Sequence, residues 1–128
     1  MRIKAVICNC KGSSPSFKNS DMNTLPFGIE SDLDVDYVVV HPQLCGMGGG
    51  RLMEDVLRSA EDDPDRFVIV GACEPEAQLR LFQKFFCKTG FSQDHFLPVD
   101  IRGVTNSEIL ERLGEKLRER VQLRERHG

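Results

Sequence analysis

Residues 66–75, Arg-Phe-Val-Ile-Val-Gly-Ala-Cys-Glu-Pro, are the stretch that decides the fold. The first seven residues form a short apolar run rich in β-branched side chains, which is typical of a strand buried on both faces. The run ends on Cys73, and Pro75 is favoured in the first turn of a helix, where its missing N–H leaves no bond unmade. A buried strand that leads directly into a helix is the repeating unit of a parallel α/β sheet.

The same unit recurs on both sides of this stretch. Three further apolar runs predict strands, at residues 3–8, 35–41 and 95–101. Helical periodicity predicts helices at residues 49–60 and 75–88 and, from a capping box, at residue 105 onwards. Pro98 indicates an edge position for the last strand. We therefore expect a three-layer α/β fold, a mostly parallel four-stranded sheet with helices on both faces, of the Rossmann-like or flavodoxin-like kind.

The pattern predicts one domain over residues 1–128, with two less regular segments. Residues 11–34 are rich in Ser, Asn, Asp, Gly and Pro, and we expect a long irregular loop there. One short helix at about residues 21–29, interrupted by Pro26, is expected within it. We also expect a frayed tail at residues 124–128.

Composition and charge exclude several classes of function. With 128 residues, 40% of them apolar, the chain can build its own core. The net charge of −3, from 17 basic and 20 acidic side chains, gives no basic stripe for nucleic acid. No apolar run approaches the ~18–20 residues of a membrane span, and the start of the chain reads as a strand rather than a signal peptide. We therefore expect a cytoplasmic protein without membrane insertion, whose cysteines are reduced, metal-bound or catalytic rather than paired.

Four of the five cysteines follow the ends of predicted strands. Cys8 and Cys10 close the first strand, Cys45 follows the second and Cys73 follows the third. Because ligands bind outside the carboxyl ends of parallel strands, topology is expected to bring these thiols to one edge of the sheet. Thiolates are soft ligands, and four of them suit zinc or an iron–sulfur cluster. The Cys-x-Cys spacing differs from the Cys-x2-Cys pair of zinc ribbons; in an extended chain it separates the thiols by about 6–7 Å, which matches two corners of a cluster.

The residues alone leave other interpretations open. Cysteine is a common buried residue, so each of these thiols taken singly is explained by core packing. A structural zinc site in a protein-binding module would use the same four thiols. Cys73, at a helix start, could have a lowered pKa and act as a nucleophile, or form a redox switch with Cys10 or Cys45. Cys87 lies in the phenylalanine-rich helix, and we assign it to packing or to the helix surface.

Residues 46–50, Gly-Met-Gly-Gly-Gly, predict a loop that opens into the second helix. Backbone N–H groups exposed by such glycines could bind phosphate or donate to cluster sulfurs. The run matches neither the dinucleotide fingerprint nor a Walker loop, so a flexible loop is an equal interpretation. His41 could replace a thiolate, but we expect a solvated side chain at the strand end. Glu74 and Glu76 are expected to complement the helix dipole rather than to act as acid/base catalysts.

A resemblance to a known family is carried by Cys8-Asn9-Cys10, by Cys45-x3-Gly49 and by residues 70–75, Val-Gly-Ala-Cys-Glu-Pro. The chain resembles the amino-terminal domain of the flavin-carrying subunit of heterodisulfide reductase. It is similar, more distantly, to the delta subunit of methyl-viologen-reducing hydrogenase. The likeness extends over about residues 3–118.

This resemblance implies an iron–sulfur module of an anaerobic, cytoplasmic, flavin-based electron-transfer complex. The ligands implied by position are Cys8, Cys10, Cys45 and Cys73. They would hold a four-iron four-sulfur (4Fe-4S) cluster, or a two-iron (2Fe-2S) cluster as in the hydrogenase delta family. The implied partners are flavoprotein or other iron–sulfur subunits, and the module would be a non-catalytic component of an oxidoreductase complex.

The chain departs from the family in two respects. Where the family often reads Cys-x-Pro-Arg-x-His-Glu, this chain has Glu76, Gln78 and Leu79. These departures leave the thiols intact and bear on contacts with partners. The flavin domain and the ferredoxin-type cysteine runs that accompany this domain in the reductase are also lacking, so we expect a stand-alone subunit or a separately encoded module.

Overall fold

The computed structural model describes residues 2–8, 21, 23–41, 44–58 and 65–127. Strands and helices alternate along these ranges: β1 (Arg2–Cys8), α1 (Leu25–Asp32), β2 (Tyr37–His41), α2 (Met47–Arg58), β3 (Arg66–Ala72), α3 (Pro75–Thr89), β4 (Phe96–Asp100) and α4 (Asn106–His127). A single 3-10 turn precedes β4. The alternation predicted from the apolar runs is therefore confirmed.

The strands form one parallel sheet in the order β2-β1-β3-β4. The chain first moves from β1 to β2 on one side, and then crosses back so that β3 pairs on the other side of β1. The carboxyl ends of β1 and β3 thus flank the point where the direction of winding reverses, which is where open α/β sheets bind their ligands. The predicted α/β fold class is confirmed.

Side chains from both faces of the sheet build two separate cores. The odd-numbered residues of β1 pack with α1 and α4, and the even-numbered Val6 and Cys8 pack with α2 and α3. Because both faces are covered, the strands read as nearly continuous apolar runs rather than as alternating ones. Among the described residues, helices therefore cover both faces of the sheet.

The edge strand β4 is closed to pairing by its own sequence. Ile101 donates its N–H to the Ala72 carbonyl at 3.0 Å. Because such bonds alternate along a parallel ladder, the backbone of Pro98 belongs to the set that faces away from β3. Proline has no N–H to offer there, and the outward carbonyl of Asp100 already accepts a bond from Arg112 at 2.7 Å. The edge position predicted from Pro98 is confirmed.

Helix α1 differs from its prediction because Pro26 lies at its start rather than interrupting it. The helix begins at Leu25 and ends at Asp32, with proline in the first turn. The first turn has N–H groups without helical partners, so proline is tolerated there. Residues 11–20 of the predicted loop lie outside the described residues. At the other end of the chain, the backbone is helical to His127, where we expected a frayed tail.

The glycine run at residues 46–50 enters helix α2 two residues earlier than predicted. The helix begins at Met47 rather than at about Gly49, so three glycines lie in its first turns. A Cβ on Gly50 would lie 3.1 Å from the Phe85 ring of α3, whereas one on Gly48 would lie at an ordinary contact distance of 3.7 Å from Nε2 of His41. Close packing against α3 therefore accounts for glycine at residue 50, despite its low helix propensity.

Candidate metal centre at the carboxyl edge of the sheet

Cys8 and Cys73 lie together at the winding reversal of the sheet. Cys8 is the last residue of β1, and Cys73 directly follows β3. Ile7 of β1 is aligned with Gly71 of β3, so Cys8 lies beside Ala72 and one position from Cys73. Cys8 is 6% exposed and Cys73 is half-buried. Two thiols from different segments therefore meet at the edge that the topology predicts.

The third cysteine, Cys45, follows the adjacent strand β2. His41, the last residue of β2, is aligned with Cys8, and Cys45 lies in the turn between β2 and α2. The neighbouring Leu44 is buried in the core while Cys45 is exposed. The predicted ligand Cys10 lies outside the described residues. The described residues alone bring together no three His, Cys, Asp or Glu side chains that could hold a metal ion.

The environment of Cys73 disfavours one of the alternatives that the sequence left open. Burial raises the pKa of the Cys73 thiol, and the Cys8 thiol and the Asp100 carboxylate raise it further. A hydrogen bond from the Cys73 backbone and the charge of Arg102 act in the opposite direction but do not outweigh burial. A lowered pKa, which the position at a helix start left open, is therefore not found, because desolvation of the thiol dominates. A thiol with a raised pKa is a poor nucleophile near neutral pH.

An ion pair stands next to this site. Arg102 donates from Nε to Oδ1 of Asp100 at 3.1 Å and from Nη2 to Oδ2 at 2.9 Å. Asp100 is the last residue of β4 and is aligned with Ala72 of β3. Arg102 follows two residues later. Gly103 then turns the chain with a φ of 74°, a conformation that favours glycine. The turn and the carboxylate together hold one guanidinium near Cys73.

Gln78 is the residue that sequence reasoning missed. Its side chain is fully buried, and Nε2 donates to the Cys73 carbonyl at 2.7 Å and to the Val99 carbonyl at 3.2 Å. The departure from the family pattern at this position indicated a contact with partners, whereas the side chain lies in the interior. The periodicity held a signal, because Gln78 lies one helical turn before Phe82 on the buried side of α3.

One further cysteine and two histidines are not part of this site. Cys87 is exposed on α3, in agreement with assignment to the helix surface. His95 stacks on Phe67 at 4.4 Å between ring centroids and contacts the Arg66 carbonyl at 2.8 Å, before β4 begins. His41 is partly buried rather than fully solvated. The cysteine ends of β1 and β3, with Arg102 and Gln78, are therefore the candidate site.

No protein-family model matches this chain, and no match is found among curated proteins. Across the described helices, none has the length and apolar character needed to cross a membrane.

Proposed function

We propose that the protein is an electron-transfer module that holds one iron–sulfur cluster at the carboxyl edge of its sheet. The ligands would be Cys8, Cys10, Cys45 and Cys73. The observation that carries the proposal is the meeting of Cys8 and Cys73 at the ends of adjacent strands β1 and β3. We favour a four-iron cluster, with a two-iron cluster as the alternative type.

The chemistry of the donor set fits such a group. Thiolates are the ligands that iron–sulfur clusters use, and Cys8 and Cys73 are sheltered from bulk solvent. A cluster with four thiolates would be anionic. The Asp100–Arg102 pair beside it is neutral overall, and its guanidinium lowers the pKa of Cys73 more than its carboxylate raises it. When bound, the cluster would supply one-electron redox chemistry; the chain supplies ligands and shielding.

The raised pKa of Cys73 favours a ligand over a catalytic nucleophile. Burial raises the pKa of this thiol and so lowers its thiolate fraction near neutral pH, whereas coordination to a metal would deprotonate it. A nucleophile or redox switch would need the thiolate at neutral pH without metal. The thiol enzyme that the sequence left open therefore has less support than a metal-bound thiolate.

Partners are proposed from the same chemistry. A module that only stores and passes electrons needs a donor and an acceptor, and we propose flavoprotein or other iron–sulfur subunits of a cytoplasmic heterodisulfide-reductase-like or hydrogenase-linked complex. Cys45 is exposed, which keeps one side of the proposed site open to a partner. The module itself would be a non-catalytic component of an oxidoreductase complex.

Anaerobic purification with metal analysis tests the proposal. The expected result is a brown protein with iron and acid-labile sulfide in equal amounts, and an electron paramagnetic resonance signal after one-electron reduction. Equimolar zinc without sulfide, with loss of folding on chelation, would instead assign a structural zinc site. A protein that stays colourless and free of iron after anaerobic reconstitution would overturn the proposal.

A further inference from the structure

Gln78 is the buried polar side chain of the candidate site. Among the described residues only Lys4, Gln78 and Thr89 are polar or charged and buried, and Gln78 is fully so. Burying an amide costs about 1–3 kcal/mol for each group left unpaired. A glutamine at this depth therefore needs bonds that an apolar side chain could not make.

The amide orientation of Gln78 is fixed by its two acceptors. Nε2 donates to two carbonyl oxygens, those of Cys73 and Val99. The reversed amide would place Oε1 against both of these oxygens, which is repulsive. Oε1 is buried and has no partner among the described protein atoms. The amide thus leaves Oε1 without a hydrogen bond while both N–H groups of Nε2 bond the carbonyls of Cys73 and Val99.

Both bonds fall where the sheet stops holding Cys73. The ladder between β3 and β4 runs to Ala72 opposite Asp100, so Cys73 lies beyond its last aligned pair. The backbone N–H of Gln78 bonds the Glu74 carbonyl at 3.1 Å and closes the first turn of α3. Gln78 therefore closes the first turn of α3 and also ties Cys73, which precedes the helix, to β4.

We propose that Gln78 is a positioning residue for Cys73: its amide locks the Cys73 carbonyl to β4 and so presets the direction in which the thiol meets a bound metal. This inference rests on the proposed function. A ligand held by a preorganised backbone loses less freedom on binding and keeps one geometry around the metal. Gln78 does not touch the metal and acts through Cys73.

The test uses the full chain and two probes, the reconstituted cluster and Co²⁺ alone in the metal-free protein. Q78M keeps the length of the side chain and removes both donors. Q78E keeps its shape but replaces the two N–H donors by a carboxyl group, which offers the two carbonyls at most one O–H donor. T89V is the matched control, because it removes a buried hydroxyl from the same helix, where Thr89 bonds the Phe85 carbonyl at 2.7 Å.

We expect Q78M and Q78E to bind Co²⁺ at least about tenfold more weakly than wild type, to change the sulfur-to-cobalt absorption bands, and to shift the cluster's reduction potential. T89V is expected to lose stability yet keep the wild-type bands and potential. If Q78M does not fold, Q78H replaces it. Its imidazole carries one N–H donor, so the proposal requires a potential that differs from that of wild type.

The outcomes separate the two proposals. A wild-type protein that binds a cluster, with Q78M and Q78E variants that keep its bands and potential, would overturn the positioning role alone. A T89V variant that shifts both readouts as far as Q78M does would also overturn it, since general destabilisation would then explain the change. A wild-type protein that binds neither the cluster nor Co²⁺ through thiolates would overturn both.

Discussion

Asp100 grips Arg102 with both carboxylate oxygens, at 2.9 and 3.1 Å, and also accepts the backbone N–H of Arg102 at 3.0 Å. Exposed ion pairs usually contribute little, because holding two long side chains costs entropy. This pair is stronger than most, since the backbone bond already fixes the carboxylate. Its consequence is a cation held in one place beside Cys73.

The Asp100–Arg102 pair makes stability depend on acid pH. The hydrogen bond from Arg102 lowers the pKa of Asp100 below its ordinary value of 3.8. A lowered folded-state pKa stabilises the protein above the unfolded value, and that stability is lost as pH falls through the folded value. We expect D100N to cost on the order of 1 kcal/mol at pH 7.

Denaturant unfolding of metal-free wild type and D100N across pH 2–7 measures this effect. The difference between the two proteins should narrow as pH falls from 3.8 towards the lowered folded-state pKa of Asp100, because the unfolded chain takes up its proton first. Below the folded-state pKa both side chains are neutral and the charge-dependent part of the difference should be lost. E76Q serves as the control, since Glu76 is exposed. A difference between wild type and D100N that is constant across this range would contradict the prediction.

Asn106 ties the start of α4 to the segment that leads into α1. Its Oδ1 accepts the Asp21 N–H at 2.8 Å, and its Nδ2 donates to the Asp21 carbonyl and to Thr24 Oγ1, both at 3.0 Å. We expect N106A to cost about 1–2 kcal/mol, because all three bonds are lost. N106D keeps only the acceptor and should fall between N106A and wild type.

Amide hydrogen exchange shows where the stability lost in N106A was contributed. The Asp21 amide should exchange faster in N106A, while S107A, at the exposed next position, should leave it unchanged. An Asp21 amide that exchanges at the wild-type rate in N106A would show that the three bonds do not hold this segment.

Gly71 has no room for a side chain. A Cβ there would lie 3.0 Å from Cδ1 of Ile7 and 3.2 Å from Cγ2 of Ile101. We expect G71A to destabilise the protein by about 1–3 kcal/mol through overpacking. I7V removes the nearest methyl group and should recover part of that loss in the double variant.

Gly90 provides the comparison for Gly71. Its φ is 78°, with nothing within 4 Å of an added Cβ, so G90A reports backbone strain without crowding. I7V should therefore rescue G71A and leave the cost of G90A unchanged. Additive effects of I7V and G71A in the double variant would argue against crowding at this contact.

Replacing the cysteines tests the proposed ligands one at a time. C8A and C73A should each lose most of the bound iron, because each removes a thiolate from the meeting point of β1 and β3. C87A should retain the wild-type iron content, since Cys87 is exposed on α3. Iron and sulfide analysis after anaerobic reconstitution measures both. Equal retention in C73A and C87A would remove Cys73 from the ligand set.

The sequence could predict those features that depend on local pattern. Apolar runs located every strand of the described sheet to within two residues, because strands buried on both faces leave an unbroken signature. The meeting of Cys8 and Cys73 also followed from topology alone, since parallel strands direct their carboxyl ends to one edge.

Tertiary packing decided the rest. Helix α2 begins within the glycine run, and at Gly50 a side chain would lie 3.1 Å from the Phe85 ring of the neighbouring helix. Local propensity contains no information about this neighbour. The pKa of Cys73 depends on burial, which the position of a helix start does not reveal. Gln78 was missed because a polar residue on a helix is assigned to the surface unless its partners are known.

The strand order also sets a sequence of events in assembly. β1 is synthesised first yet becomes a central strand, and it gains its second neighbour only when β3 adds beside it. Closing so long a stretch of chain is slow compared with forming local helices. Cys8 therefore lacks Cys73 as a neighbour until β3 has paired with β1. Under the proposed function, a cluster delivered before β3 is made would meet a ligand set without Cys73, so complete loading follows folding.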